Sequence, residues 1–308
     1  MAVALKENTI AEGCIVDHGA IPWLCCTLHK TRAEGMNQVI IPNHPEMTRI
    51  CPDQLPEDSR ALWASMDALG QCLGPVAPAG SCLSLLDLRL LSASCVGAER
   101  NDLLASMLSD AERQMLAGFT SPKRKIEWLG GRLVAKHALI RLLAEQAVFN
   151  LRDYSLLPDA HGRPRLQPSP RIPTVPAVSI SHSRDYAAAL VTTGLPCGLD
   201  IQQKTPKLLA VQERVATVVE LALLAGISDQ LTRLALLWTA KEAVKKGCLA
   251  DHPSFFGAIR LVAIQQKPDD MTWTGLCQVT RESGHTVRVR IIEFGDYLVA
   301  CVAGEDHA

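Results

Sequence analysis

From Ser81 onward the apolar positions fall into regular periods, and each period predicts an element. The segment SCLSLLDLRLL, 81–91, reads as a strand. In LSDAERQMLAGF, 108–119, Ser109 is placed as an N-cap with Glu112 three residues on, the signature of a capping box. From Ser121, SPKRKIEWLGGRLVAKHALIRLLAEQAVF predicts a long helix. Trp128, Leu129, Leu133, Leu139, Ile140 and Leu143, with the stem of Lys136, form its apolar stripe. DAHGRPRL, 159–166, is a turn, and RLQPSPRIPTVP is too rich in proline for a helix. AVSISHSRDYAAALVTT, 177–193, predicts two short strands around a polar tight turn.

CGLDIQQ, 197–203, is a further strand. KLLAVQERVATVVELALLAG, 207–226, reads as helical. SDQLTRLALLWTAKEAVKKG, 228–247, predicts a helix with Ser228 near its start and Gly247 just past its end. GAIRLVAI, TGLCQVT, TVRVRIIEF and DYLVACVA then give strands in a meander. The class is α+β. Residues 81–194 and 195–308 form halves of equal length, each mixing helices with strands. Residues 1–80 are different: IPNHPEMTRICPDQLPED and LGPVAPAG are punctuated by proline and glycine, which sets a boundary near Gly80. Within them, Leu62, Met66 and Leu69 recur at helical spacing and predict a short helix around Ser59–Gly70.

Composition narrows the classes. The chain has 308 residues, enough for one large domain or two modest ones. A formal net charge of -1 excludes a whole-molecule basic footprint for nucleic acid, so any anion site is a local cluster. No apolar run is long enough to span a bilayer, and MAVALKENTIAEG is not a secretory signal. The 11 cysteines form no C-x-x-C pair and read as reduced cytosolic thiols, so the expected location is cytoplasmic. Cys14, His18, Cys25, Cys26 and His29 match no zinc spacing and read as ordinary thiols and histidines.

Several constellations carry chemistry. On the strand GLDIQ, Asp200 and Gln202 are two apart and present two oxygen ligands on one face. On the helix WTAKEAVKKG, Trp238, Glu242 and Lys246 are four apart; a carboxylate and an ammonium beside a large aromatic need a partner. In SISHS, Ser179, Ser181 and Ser183 share one face while Ile180 and His182 take the other. Lys123, Arg124, Lys125, Arg132, Lys136 and Arg163 supply positive charge suited to phosphate. Each has a bland alternative: an alternating surface strand, an i,i+4 surface pair, a hydrogen-bonded histidine, a solvated helix face. Together they supply what phosphoryl-type transfer needs. Asp200, Gln202 and Glu242 could hold magnesium, Lys246 could neutralise a pyrophosphate, and the arginines with His182 could fix a polyphosphorylated donor.

In order, GRLVAK at 131–136, HGRPRL at 161–166, SISHS at 179–183, GLDIQ at 198–202 and WTAKEAVKK at 238–246 resemble the signatures of the 4′-phosphopantetheinyl transferases, surfactin-type and holo-acyl-carrier-protein synthase-like. The resemblance covers roughly residues 81–303 and leaves the first 80 as an extension. It implies two similar α+β halves related by a pseudo-twofold axis, with coenzyme A in the cleft between them. It implies that Asp200 and Glu242 bind magnesium (manganese could replace it), with Gln202 where many members carry glutamate. It places Lys246 on the coenzyme A pyrophosphate and Arg132, Arg163, Ser181 and His182 around the donor, including its 3′-phosphate. Arg113 and Arg124 lie where the gap before the first motif does not align.

The reaction so implied moves phosphopantetheine from coenzyme A onto a serine of an apo acyl or peptidyl carrier protein and releases adenosine 3′,5′-bisphosphate. Asp200, Glu242 and Lys246 are its expected catalytic residues. The expected partners are the carrier and coenzyme A, with no nucleic acid and no membrane, and the working form is a monomer. The rival expectation is a non-catalytic coenzyme A- or carrier-binding protein with a degenerate magnesium site, which Gln202 keeps open.

Overall fold

The structure is a computed structural model; it describes residues 57–95, 107–143, 151–168, 174–193, 195–249, 257–268, 271–280 and 285–304. The cysteine and histidine cluster near the N-terminus lies outside the described residues.

Helix α1, Glu57–Cys72, and a 3-10 turn, Gly74–Val76, lead into β1, Ser81–Asp87. The predicted strand over 81–91 is shorter than expected. Asp87 Oδ1 accepts from Arg89 N at 2.8 Å and caps helix α2, Leu88–Ser94, so LRLL turns helical. Then come α3, Asp110–Ala117, and α4, Pro122–Leu143. A hairpin follows, of β2, Leu156–Pro158, and β3, Pro164–Leu166; a second is formed by β4, Ala177–Ser183, and β5, Tyr186–Thr192. The polar turn between β4 and β5 places Arg184 at φ 49°.

The second half opens with β6, Cys197–Gln203. The helical stretch expected over 207–226 is broken into a 3-10 turn, α5, Gln212–Val215, and α6, Val218–Leu223. Thr217 causes the break: it takes an extended conformation and caps α6 in a capping box with Glu220. Helix α7, Gln230–Cys248, is capped by Asp229 rather than Ser228, and Gly247 lies inside it rather than past its end. The meander follows as β7, Ile259–Gln266, β8, Thr272–Val279, β9, Thr286–Phe294, and β10, Tyr297–Ala303.

The sheets have orders β1-β5-β4, β6-β10-β9-β8-β7 and β2-β3, with antiparallel pairing throughout. The run β1-β5-β4 recurs as β6-β10-β9, down to register: Ser84 faces Ala189 as Asp200 faces Ala300. In the second half β8 and β7 extend the same sheet; in the first, β3 and β2 form a separate ribbon. Pro164 in β3 and Pro176 just before β4 remove backbone donors from that junction.

Each half has its own core, α4 over the first sheet and α7 over the second. A third apolar cluster joins them, built from Leu83, Leu85, Leu190, Leu199, Ile201 and Val299 among others. The period-2 pattern of β1 and β6 explains this: Leu83 and Leu85, like Leu199 and Ile201, face the shared core, which leaves Ser84 and Asp200 on the helix side.

The stripe on α4 holds one correction. Lys136 is not buried by its stem alone; the whole side chain is enclosed. Its Nζ meets Glu112 Oε2 at 2.5 Å and donates to Met107 O at 2.9 Å and Leu151 O at 2.8 Å. Three oxygens replace water around the ammonium, which is what burial of a charge requires.

Candidate active site

The site forms where the two sheets meet, along β4 and β6. The serine face predicted for SISHS is what joins them. Ser179 Oγ accepts from Leu199 N at 2.9 Å, Ser183 Oγ accepts from Gln203 N at 3.0 Å, and Ser181 Oγ donates to Asp200 Oδ1 at 2.7 Å. The hydroxyls thus act as rungs between an edge strand of each sheet.

Behind β6 stands α7. The glycine of GLDIQ makes their approach possible: a Cβ on Gly198 would lie 1.9 Å from Ala243 O and 2.6 Å from Gly247 N. At this separation Lys246 Nζ reaches Asp200 Oδ1 at 2.8 Å and Leu199 O at 2.9 Å. Glu242, one turn earlier on α7, is part-buried on the same face. Burial raises its pKa above the usual carboxylate value, and the Asp200 charge adds to that; Lys246 and Lys245 oppose it. Asp200 Oδ2 is buried and has no hydrogen-bond partner among the described residues. Gln202, two residues along the same strand face, donates from Nε2 to Gln203 O at 2.9 Å.

A cleft of about 670 Å³ opens beside these groups, lined by Glu242, Lys245, Lys246, Ser179, His161 and Arg163 among others. Arg163 Nε donates to Asp159 Oδ2 at 2.7 Å, and Arg165 Nε to the same oxygen at 3.2 Å. Asp159 Oδ1 also accepts from the backbone N–H groups of His161 and Arg163, which shapes the HGRPRL turn. These contacts hold the Asp159 carboxyl far below its ordinary pKa, against its desolvation, so it stays charged and fixes both guanidinium groups.

A second depression, about 460 Å³, adjoins the cleft at Ile180, which lines both; it is lined by His182, Lys123, Arg124, Glu127, Trp128 and Arg132 among others. Arg132 stacks on Trp128, 4.4 Å from its ring centroid, and donates from Nε to Leu156 O at 2.9 Å. Burial lowers its pKa to about 10, with Glu112 opposing. His182 Nδ1 lies 3.9 Å from Glu127 Oε1, and Lys123 Nζ lies 3.6 Å from the same oxygen. Burial lowers the His182 pKa, with Glu127 opposing.

The structure therefore brings Asp200, Glu242, Lys246 and Ser181 together, sets Arg163 in the adjoining cleft, and groups Arg132 with His182 in the neighbouring depression. Arg113 is turned away, paired with Asp110 and Leu108 O. Sequence reasoning missed Glu127, Asp159, Arg165 and Lys245. Asp159 had a legible signal, an aspartate three residues before a glycine in a turn; Glu127 is legible as an i,i+4 partner of Lys123, but its approach to His182 comes from tertiary packing.

A divalent cation fits these residues. Among the described residues no three His, Cys, Asp or Glu side chains cluster as a metal set. Gln202 lies two residues along the strand from Asp200, and the unpartnered Asp200 Oδ2 is an oxygen available to such an ion.

The profile of the 4'-phosphopantetheinyl transferase N-terminal domain matches residues 111–192, and that of the 4'-phosphopantetheinyl transferase superfamily matches residues 196–302. The chain is similar to holo-[acyl-carrier-protein] synthase of Streptococcus agalactiae serotype III (strain NEM316), 34% identical over 108 residues, which is 34% of this chain and 90% of that protein. It is also similar to the Geobacillus sp. (strain WCH70) protein of the same name, 33% identical over 94 residues, 30% of this chain and 78% of that one. Among solved structures, that of a holo-(acyl-carrier-protein) synthase from Bacillus anthracis str. Ames in complex with CoA (3',5'-ADP) aligns at 23% identity and TM-score 0.32, covering 37% of this chain and 94% of that one. The two profile matches and the curated relatives establish that the chain belongs to the 4'-phosphopantetheinyl transferase superfamily.

Proposed function

We propose that the chain is a transferase that moves 4′-phosphopantetheine from coenzyme A to a serine of an apo acyl or peptidyl carrier protein, with Asp200, Glu242 and Lys246 as its working groups. The observation that carries the site assignment is the buried, unpartnered Asp200 Oδ2 beside a Glu242 of raised proton affinity. Membership of the superfamily supports the reaction itself.

In this reading Lys246, held on Asp200 Oδ1, faces the cleft and neutralises charge on the donor pyrophosphate. The carrier serine oxygen bonds to the β-phosphorus, the bond from that phosphorus to the bridging oxygen breaks, and adenosine 3′,5′-bisphosphate leaves. Glu242 takes the serine proton; its raised pKa suits it as a base. Magnesium, held by Asp200, Glu242 and the Gln202 amide, would supply charge neutralisation at the bridging phosphates. Ser181 fixes the Asp200 carboxylate rather than acting as a nucleophile. Arg163 binds the donor from the cleft. Arg132 positions Trp128, and His182 with Lys123 and Arg124 receives the 3′-phosphate in the neighbouring depression.

The repeated strand order and the matched registers support a pseudo-twofold relation between residues 81–194 and 195–308. Residues 1–80 are an extension to that pair, and the chain works as a cytoplasmic monomer. No helix among the described residues is long and apolar enough to cross a membrane.

The test is a transfer assay. The protein is incubated with coenzyme A, magnesium and a panel of apo carriers, and the carriers are weighed by mass spectrometry. A gain of one phosphopantetheine on the carrier serine is expected. Binding of coenzyme A with no mass gain on any carrier would overturn the reading.

A further inference from the structure

The first half contains a counterpart of the site, and it is closed. Ser84 stands fourth in the seven residues of β1, paired with Ala189, as Asp200 stands fourth in the seven of β6, paired with Ala300. The buried lysines align the helices. Lys136 on α4 and Lys241 on α7 each bind the glutamate of a capping box, Glu112 and Glu220. Each of those glutamates accepts from the N–H of the next strand's leucine, Leu156 or Leu261. Counting from those lysines, Glu242 corresponds to His137 and Lys246 to Arg141. The positions match but the contacts differ: Ser84 Oγ and His137 Nδ1 share a hydrogen bond of 2.8 Å, whereas Asp200 is bonded to Lys246.

What differs is the space in front. Beside Asp200 and Lys246 lies the open cleft. Beside Ser84 and His137 lies α1. Its Trp63 meets the His137 ring edge-on, with centroids 4.9 Å apart. Its Asp67 Oδ1 accepts from Arg141 Nη1 at 2.6 Å and lies 3.3 Å from His137 Nε2, close but not aligned as a hydrogen bond. Leu62, Trp63 and Met66 join the first-half core, and the following 3-10 turn places Leu73 and Val76 in the shared core and touches β9. By the strand correspondence β9 is the counterpart of β4, which walls the working cleft. The segment thus narrows the room in the first half to a cavity of about 210 Å³ between Gly80, Arg288 and Arg290, and it brings a carboxylate to the cation matching Lys246.

We propose that α1 is an intramolecular plug of this counterpart cleft, latched by the Asp67 carboxylate onto Arg141 and His137, so that one chain takes one donor. Asp67 stands where a donor phosphate would stand in the working cleft. The inference rests on the donor reading only for what it says of stoichiometry; the latch stands on the contacts of Asp67.

The test uses the full chain. In Asp67→Arg, a second cation meets Arg141, and limited proteolysis within α1 should quicken by up to about fivefold, since both partners of this ion pair are partly exposed. Carrier modification should stay within about twofold of the unsubstituted chain, since Asp67 is remote from the working cleft. Adding Arg141→Asp to Asp67→Arg reverses the pair and should restore protection. Calorimetric titration with coenzyme A should give one site on the unsubstituted chain. Unchanged protection in Asp67→Arg, or failure of the reversed pair to restore it, overturns the latch; a stoichiometry of two overturns the plug. If the unsubstituted chain modifies no carrier while the proteolysis behaves as expected, the transfer reading fails and the latch stands.

Discussion

The two halves use one frame and put it to different ends. In both, a capping-box glutamate is buried against a helix lysine and pinned by the N–H of the following strand. In both, the residue after that lysine faces the fourth residue of the half's first strand. There the likeness stops. The second half carries Asp200, Glu242 and Lys246 beside an open cleft; the first carries Ser84, His137 and Arg141 beneath α1. The frame is held by buried charge set apart from the cleft, and the proposed chemistry sits on a few neighbouring positions.

The sharpest way to break this comparison is to treat matching positions alike. Asp200→Ala should reduce carrier modification to background, because it removes the carboxylate that holds Lys246 and the oxygen left for the cation. Ser84→Ala, at the matching place in β1, should leave the rate within about twofold, since its hydroxyl meets only His137. The mass assay measures both. Normal turnover by the Asp200 variant would refute the site.

The frame should break equally on either side. Lys136→Met leaves Glu112 buried without its cation, and Lys241→Met does the same to Glu220. Each should cost about 3–5 kcal/mol in urea unfolding, as removal of one partner of a buried pair does. The two losses should add, because the pairs share no partner. A much smaller loss in one half would mean that only the other half depends on its buried pair.

Much of this was legible in the sequence, and what was not has a physical reason. The Ser109–Glu112 box could be read because a cap is local, with spacing fixed by one turn of helix. The meander of β7 to β10 could be read from its alternation. Thr217 was harder, since VATVVELALL looks continuously helical until one asks which side chain takes the free N–H groups. Strand and helix periods put Asp200 with Gln202 and Glu242 with Lys246 on single faces, but only the resemblance of the motifs implied that the two faces meet. Glu127 beside His182, and Asp67 beside Arg141, were not legible, because tertiary packing alone brings those pairs together. The role of Lys136 was half-legible: the stripe marked it as inward-facing, but nothing local named Glu112 as its partner.

The closed site should also differ from the open one in its response to acid. Burial lowers the His137 pKa to about 4 from an ordinary 6.5; Asp67 opposes this and Arg141 assists it. The folded chain therefore resists a proton that the unfolded chain accepts. Stability is intact above about pH 6.5, falls as pH drops toward about 4, and levels below that, since both states are then protonated. The loss from this group is at most about 3 kcal/mol, because each tenfold change in proton affinity is worth about 1.4 kcal/mol. Thermal unfolding in His137→Gln should show a shallower decline over that window. An unchanged decline would assign the acid sensitivity to other groups.

The smallest expected effect concerns position 202, where the resemblance of the motifs implies a glutamate. Gln202 shares a strand face with Asp200, but its amide is engaged, donating from Nε2 to Gln203 O. Glutamate there has no donor for that carbonyl. Its carboxylate is repelled by Gln203 O and turns toward the space beside Asp200, where a divalent cation adds to the compensation that Lys246 offers. Gln202→Glu should therefore lower the magnesium concentration for half-maximal transfer several-fold, while the maximal rate stays within about twofold. The matching residue of β1 is Leu86, buried in the first-half core, so no equivalent substitution can give the closed site a metal ligand without breaking its packing. A magnesium titration of the two chains side by side decides it. An unchanged half-maximal concentration would mean that position 202 does not touch the ion, and that Asp200 and Glu242 hold it with water.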